Sequence, residues 1–158
     1  RFLGKYIMKE TGREMVLWEG SCQVHEIFSE RELVHLKAKH PKAKVLAHPE
    51  CEENILMHAD FIGSTSALIK NVNETSDQKY IIATEPGVIH QMQKKNPTKE
   101  FLPLPSNDGC ACNKCPHMRL NTLEKIVETL TSLSNEIILD ENTRKKALKP
   151  LNRMLKIV

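Results

Sequence analysis

The feature that most constrains this chain is its rhythm. Short, wholly apolar runs recur between amphipathic stretches of helical length. Strands that are apolar on both faces are those of a parallel sheet covered by helices on either side. Such runs lie at residues 15–18 (Met, Val, Leu, Trp), 44–48, 60–63, 79–84 and 100–104. Between them, Ser29 with Glu32 three positions later forms a capping box that opens a helix ending before Pro41. Helices are also expected over residues 50–59, from Ser64 through Val72, and over 87–96. The expectation is therefore an α/β fold, a three-layer αβα arrangement around a short parallel sheet. After Pro105 the pattern changes to a turn-rich, cysteine-rich stretch over residues 106–121. Two amphipathic helices follow over 122–133 and 144–157, the second kinked or split by Pro150.

With 158 residues, 40% hydrophobic and 27% charged, the chain has enough apolar material for a real core. Its 23 basic residues are scattered among 20 acidic ones and only 4% of residues are aromatic, which argues against a nucleic-acid partner. No apolar run approaches the roughly 18 residues of a membrane-spanning helix, so no membrane partner is expected. The chain opens at Arg1 without an initiator Met or a secretory signal pattern. A cytoplasmic protein whose natural start lies upstream is the expectation from this.

Ligands of parallel α/β sheets bind at the carboxyl ends of the strands. Reactive residue types gather there: Cys22 and His25 after the first expected strand, and His48, Pro49, Glu50 and Cys51 after the second. Ser64 and Thr65 follow the third, and Thr84 and Glu85 the fourth. Cys110, Cys112 and Cys115 follow the fifth. The last three form C-x-C-x-x-C before Pro116, a spacing that suits zinc, an iron–sulfur cluster or a redox disulfide. Reduced, partly buried thiols are the plainer reading, above all for the isolated Cys51. His48 and Glu50, held two apart by Pro49, can exchange protons near neutral pH. Equally, Glu50 can complement a helix dipole and His48 can end a strand. Gly63-Ser64-Thr65-Ser66 at a helix start offers free N–H groups and hydroxyls to an anion, or simply a cap.

Taken together and in order, these motifs resemble one family, the quinolinate synthases. The resembling stretches are Trp18-Glu19-Gly20-Ser21-Cys22-Gln23-Val24-His25-Glu26, His48-Pro49-Glu50, residues 59–66 and 83–87, Cys112-Asn113-Lys114-Cys115-Pro116, and residues 151–155. The resemblance implies a transferase of NAD biosynthesis that condenses iminoaspartate, supplied by L-aspartate oxidase, with dihydroxyacetone phosphate. It implies three similar αβα domains in a pseudo-threefold triangle around a 4Fe-4S cluster with one cysteine ligand from each domain. By motif position Cys22 and Cys115 are two of these ligands, and Cys110 and Cys112 are their neighbours. Three thiolates leave one iron open as a Lewis acid. His48, Pro49 and Glu50 match the motif that contacts substrate, Thr65 with Ser64 a carboxylate- or phosphate-binding position, and His25 a histidine near the cluster. Residues 1–22 would end the middle domain, 23–115 form the third, and 116–158 the closing helical segment. The first domain, with its cysteine, has no counterpart here, so the chain alone is expected to be inactive.

A reading from a different class is a non-enzymatic α/β module with a structural zinc at Cys110, Cys112 and Cys115. A dithiol redox protein using Cys112 and Cys115 is a third.

Overall fold

The computed structural model describes residues 1–107 and 113–157. They fall into two compact units, Arg1–Pro116 and His117–Val158.

The first unit is built on four parallel strands, β1 (Lys44–Ala47), β2 (Phe61–Ile62), β3 (Lys79–Ala83) and β4 (Glu100–Pro103), in the order β2-β1-β3-β4. Val45 lies opposite Ile81 and Ala47 opposite Ala83, while Leu46 lies opposite Ile82. Alternation along the strands sends these sets to opposite faces. On one face Val45, Ala47, Ile81 and Ala83 pack with Leu33 of α3 (Glu30–Lys39) and Ile55 of α4 (Glu53–Leu56). On the other, Leu46, Tyr80 and Ile82 pack with Leu68 and Val72 of α5 (Thr65–Glu74) and with Val88 and Met92 of α6 (Gly87–Lys95). The two-sided apolar strands thus report the three-layer fold anticipated from their composition.

Local signals place the helices. The Ser29 side chain accepts from the Glu32 N–H, and the Ser64 side chain accepts from the Ala67 N–H. Each satisfies one of the N–H groups left free at a helix start. Lys99 closes the other end of α5, its ammonium donating to the Val72 and Thr75 carbonyls.

Two expectations are corrected, and one helix is added. Residues 15–18 form no strand; Val16 and Trp18 are 103% and 86% exposed. An apolar tetrapeptide becomes a strand only against a neighbour, and none of the sheet's pairings reaches it. The helix expected over 50–59 contracts to the single turn of α4, because residues 48–51 close a turn of their own, with the Cys51 N–H donating to the His48 carbonyl at 2.9 Å. Unanticipated is α1 (Phe2–Thr11), which ends at Gly12 in the left-handed region, φ 67°, with the Gly12 N–H donating to the Met8 carbonyl. A glycine in the left-handed region is a common helix terminator.

In the second unit a 3₁₀ turn (Met118–Leu120) precedes α7 (Leu123–Ser132) and α8 (Glu141–Met154). Thr122 and Asp140 cap them. Helix α8 begins earlier than expected and runs on through Pro150 without splitting. Among the described residues, no helix is long and apolar enough to cross a membrane.

Candidate functional site

The strand order determines where the site lies. From β1 the chain runs outward to β2 and then returns past β1 to β3, so connections leave β1 and β3 in opposite directions. The crevice at the carboxyl ends of two such strands is where open α/β sheets bind ligands.

Two loops line that crevice. The first follows β1. The His48 N–H extends the ladder by one residue to the Ala83 carbonyl at 3.1 Å, and Pro49 then turns the chain. The turn presents Glu50, whose N–H donates to His48 Nδ1 at 3.3 Å. With Nδ1 accepting, neutral His48 carries its proton on Nε2. The second loop follows β3 and begins with Thr84, which is buried.

A third element reaches the same point. Cys22 is the N-cap of α2 (Gln23–Glu26), a single turn. Cys22 and His25, three apart, share one face of it. Buried Val24 anchors the turn in the core. His25 is then held from three sides. Its Nε2 lies 3.0 Å from Thr84 Oγ1, its ring stacks on His48 with centroids 4.6 Å apart and planes at 22°, and its Nδ1 lies 3.4 Å from Glu50 Oε2. Nδ1 is buried, and the approach of Glu50 falls short of good hydrogen-bond geometry.

Electrostatics follow from this packing. Burial, with His48 adding to it, lowers His25 to about 4 even though Glu50 pulls the other way. Burial also lowers His48, again against Glu50. Both rings are therefore neutral at neutral pH, available to accept a proton beside a carboxylate. An open pocket of about 330 Å³, lined by Arg1, Gly20, Ser21, Cys22 and Glu50 among others, leads to this group.

Donor atoms of Cys22, His25 and Glu50 all lie within 4.8 Å of one another, a thiol, an imidazole and a carboxylate that could hold a metal ion. Cys115, a half-buried free thiol, packs on the same apolar cluster as Cys22 but belongs to no such three-residue group among the described residues. Cys110 and Cys112 lie outside the described residues. Cys51 is buried, with its Sγ donating to the Ala83 carbonyl at 3.3 Å, and burial pushes its thiol up to about 12. It is a packing residue. Ser64 and Thr65 begin α5 and are exposed; the Gly63 N–H donates to the Ala47 carbonyl, so this helix start also sits at the end of β1.

The structure thus brings Cys22, His25, His48, Pro49 and Glu50 together. Thr84 was visible in sequence only as one hydroxyl among many at strand ends.

The fold and this cluster define an α/β protein of the class that binds small ligands at the carboxyl edge of a parallel sheet, with donors suited to a metal. The family model described as Quinolinate synthetase A protein matches residues 1–156, and the chain belongs to that family. It is 55% identical over 155 residues to the quinolinate synthase of Trichodesmium erythraeum, covering 98% of this chain and 48% of that protein. Against the quinolinate synthase of Synechocystis it is 57% identical over 155 residues, covering 98% of this chain and 49% of that protein. The chain spans about half the length of the curated relatives it matches.

Proposed function

We propose that this chain supplies one wall of a quinolinate synthase active site, in which iminoaspartate condenses with dihydroxyacetone phosphate to give quinolinate, phosphate and water. The atoms of that conversion balance without an external oxidant or reductant. What it demands is repeated proton transfer at carbon, nitrogen and oxygen. The observation that carries the reading is the convergence of two neutral imidazoles on one carboxylate, Glu50, at the crevice between β1 and β3.

Each residue has a role. Glu50, a third exposed, reaches the pocket and exchanges protons with substrate. His48 offers Nε2–H to a developing oxyanion, its Nδ1 being occupied by the Glu50 N–H. His25 backs Glu50 from the buried side. Pro49 fixes the turn that sets the spacing of His48 and Glu50. Ser64 and Thr65, with the N–H groups of the first turn of α5, bind a substrate carboxylate or phosphate.

The cofactor of this reading is a 4Fe-4S cluster, with Cys22 and Cys115 as the ligands supplied by this chain. Two free thiols packed on one apolar cluster, with Cys22 also lining the pocket, suit such a role, because an apolar surround protects a cluster from solvent. When bound, the cluster would supply a Lewis acid for a substrate carboxylate or hydroxyl. In this reading, of a cytoplasmic protein, residues 1–22 complete a middle αβα domain, 23–115 form a third, and 116–158 are a C-terminal helical segment. The remaining ligand and substrate-binding groups, and the functional coupling to L-aspartate oxidase, belong to the whole protein.

The test is a chimera in which this chain replaces the matching half of the Synechocystis relative, reconstituted anaerobically with iron and sulfide. It should form quinolinate and take up iron and sulfide in the proportion of one 4Fe-4S cluster. A colourless chimera holding a single zinc would overturn the reading in favour of a structural zinc site.

A further inference from the structure

The hydroxyl of Thr84 does something the cluster needs and no other side chain described beside it provides. His25 has two ring nitrogens and, when neutral, one proton. Nδ1 faces the carboxylate oxygen of Glu50 at 3.4 Å, so a proton there is attracted and a lone pair there is repelled. For Nδ1 to keep the proton, Nε2 must accept, and its partner must be able to donate. Thr84 Oγ1 lies 3.0 Å from Nε2, and both residues are more than nine-tenths buried. A hydroxyl can donate at this place where a backbone carbonyl or a carboxylate could not. Thr84 is also rigidly set, being the first residue beyond β3, immediately after the Ala83 carbonyl that accepts from His48.

We infer that Thr84 is a positioning residue, its hydroxyl donating to His25 Nε2 and so holding His25 as the Nδ1–H tautomer, with its proton on the side of Glu50. The inference deepens the proposed function, because it states which proton the buried histidine presents to the carboxylate. The stack on His48 fixes the plane of the ring, and Thr84 fixes its rotation within that plane. A valine at this place keeps the shape and removes the donor; a serine keeps the donor.

The experiment uses this chain, ¹⁵N-labelled and metal-free, with the His25 ring tautomer read by long-range ¹H–¹⁵N correlation at a pH where the ring is neutral. The unmodified chain and Thr84→Ser should both show Nδ1–H with a hydrogen-bonded Nε2, and Thr84→Val should shift the Nε2 resonance and raise the Nε2–H fraction, Glu50 alone then favouring Nδ1–H, while its circular dichroism stays native. An Nε2–H ring in the unmodified chain overturns the inference whether or not the valine variant folds. An unchanged ring spectrum in a folded Thr84→Val overturns it as well, leaving Thr84 a packing residue. In the chimera with the Synechocystis relative, Thr84→Val should lower kcat by about 10- to 100-fold with KM little changed, as for other groups that orient a reacting ligand, and Thr84→Ser should restore most of it. If the unmodified chimera makes no quinolinate, the functional reading fails, while the tautomer result still decides the role of Thr84.

Discussion

His25 and His48 lie stacked, ring centroids 4.6 Å apart, although one rides on a single helical turn and the other ends a central strand. The pair sits over one carboxylate, with Glu50 Oε2 at 3.4 Å from the first ring and 3.9 Å from the second. Two imidazoles this close cannot both carry charge cheaply in a buried setting. Burial is what keeps both rings neutral and proton-accepting, and the neighbouring His48 adds to it at His25.

That neutrality should appear in the pH dependence of the metal-free chain. His25 is lowered to about 4, chiefly by burial and then by His48. The unfolded chain takes up the same proton near 6.5. Between those values the unfolded state binds more protons, so stability falls as pH falls through this window and is fully present above it. The loss reaches at most roughly 3 kcal/mol. Urea midpoints measured from pH 7.5 down to 4.5 should decline, and the decline should flatten in His25→Asn. A midpoint independent of pH would contradict the buried neutral pair.

Glu50→Gln should separate chemistry from assembly. The amide keeps the shape of the side chain and removes its capacity to take a proton. In the reconstituted chimera, quinolinate formation should fall by at least about 100-fold, the usual worth of a positioned proton-transfer group. The visible absorbance of the cluster should persist. Turnover like that of the unmodified chimera would remove Glu50 from the mechanism.

The cysteines divide by environment. Cys51, with its thiol pushed up to about 12 and bonded to the Ala83 carbonyl, should resist iodoacetamide in the folded chain and react only after denaturation. The half-buried Cys22 and Cys115 should be modified before Cys51 in the native state, as peptide mass spectrometry would show. In the chimera, Cys22→Ser and Cys115→Ser should each abolish the cluster, while Cys110→Ser should retain it. Survival of the cluster in Cys115→Ser would overturn the ligand assignment.

At the start of α5, capping and anion binding can be told apart. Ser64 accepts from the Ala67 N–H, so Ser64→Ala should cost about 1 kcal/mol of stability. Thr65 makes no such cap, and Thr65→Val should leave thermal stability within about 0.5 kcal/mol. It should nevertheless raise KM for dihydroxyacetone phosphate or iminoaspartate in the chimera. An unchanged KM for both substrates would reduce this helix start to a cap alone.

Much of this arrangement was legible along the chain. Ser29 with Glu32, and Ser64 before Ala67, cap the helices they were expected to open, because a cap depends only on residues a turn apart. The doubly apolar runs at Val45 to Ala47 and Tyr80 to Ala83 became the two inner strands, because burial on both faces leaves no polar position to alternate with. The run ending at Trp18 failed for the complementary reason. Whether an apolar run is a strand depends on a partner that local composition does not encode. The helix before that run was legible, since the apolar positions Phe2, Leu3, Tyr6 and Ile7 ahead of Gly12 trace a helix face.

By itself, then, the sequence determined the α/β class, most element starts and the residue types at the carboxyl edge of the sheet, since these follow from periodicity, capping and short motifs. Only the tertiary structure decided which of those residues meet. Strand order β2-β1-β3-β4 sets the loops after β1 and β3 side by side, and a turn some twenty residues upstream swings Cys22 and His25 into the gap. Contacts between groups so distant in the chain arise from sheet register and core packing. It is those contacts that turned Thr84 from one more strand-end hydroxyl into the partner of a buried histidine.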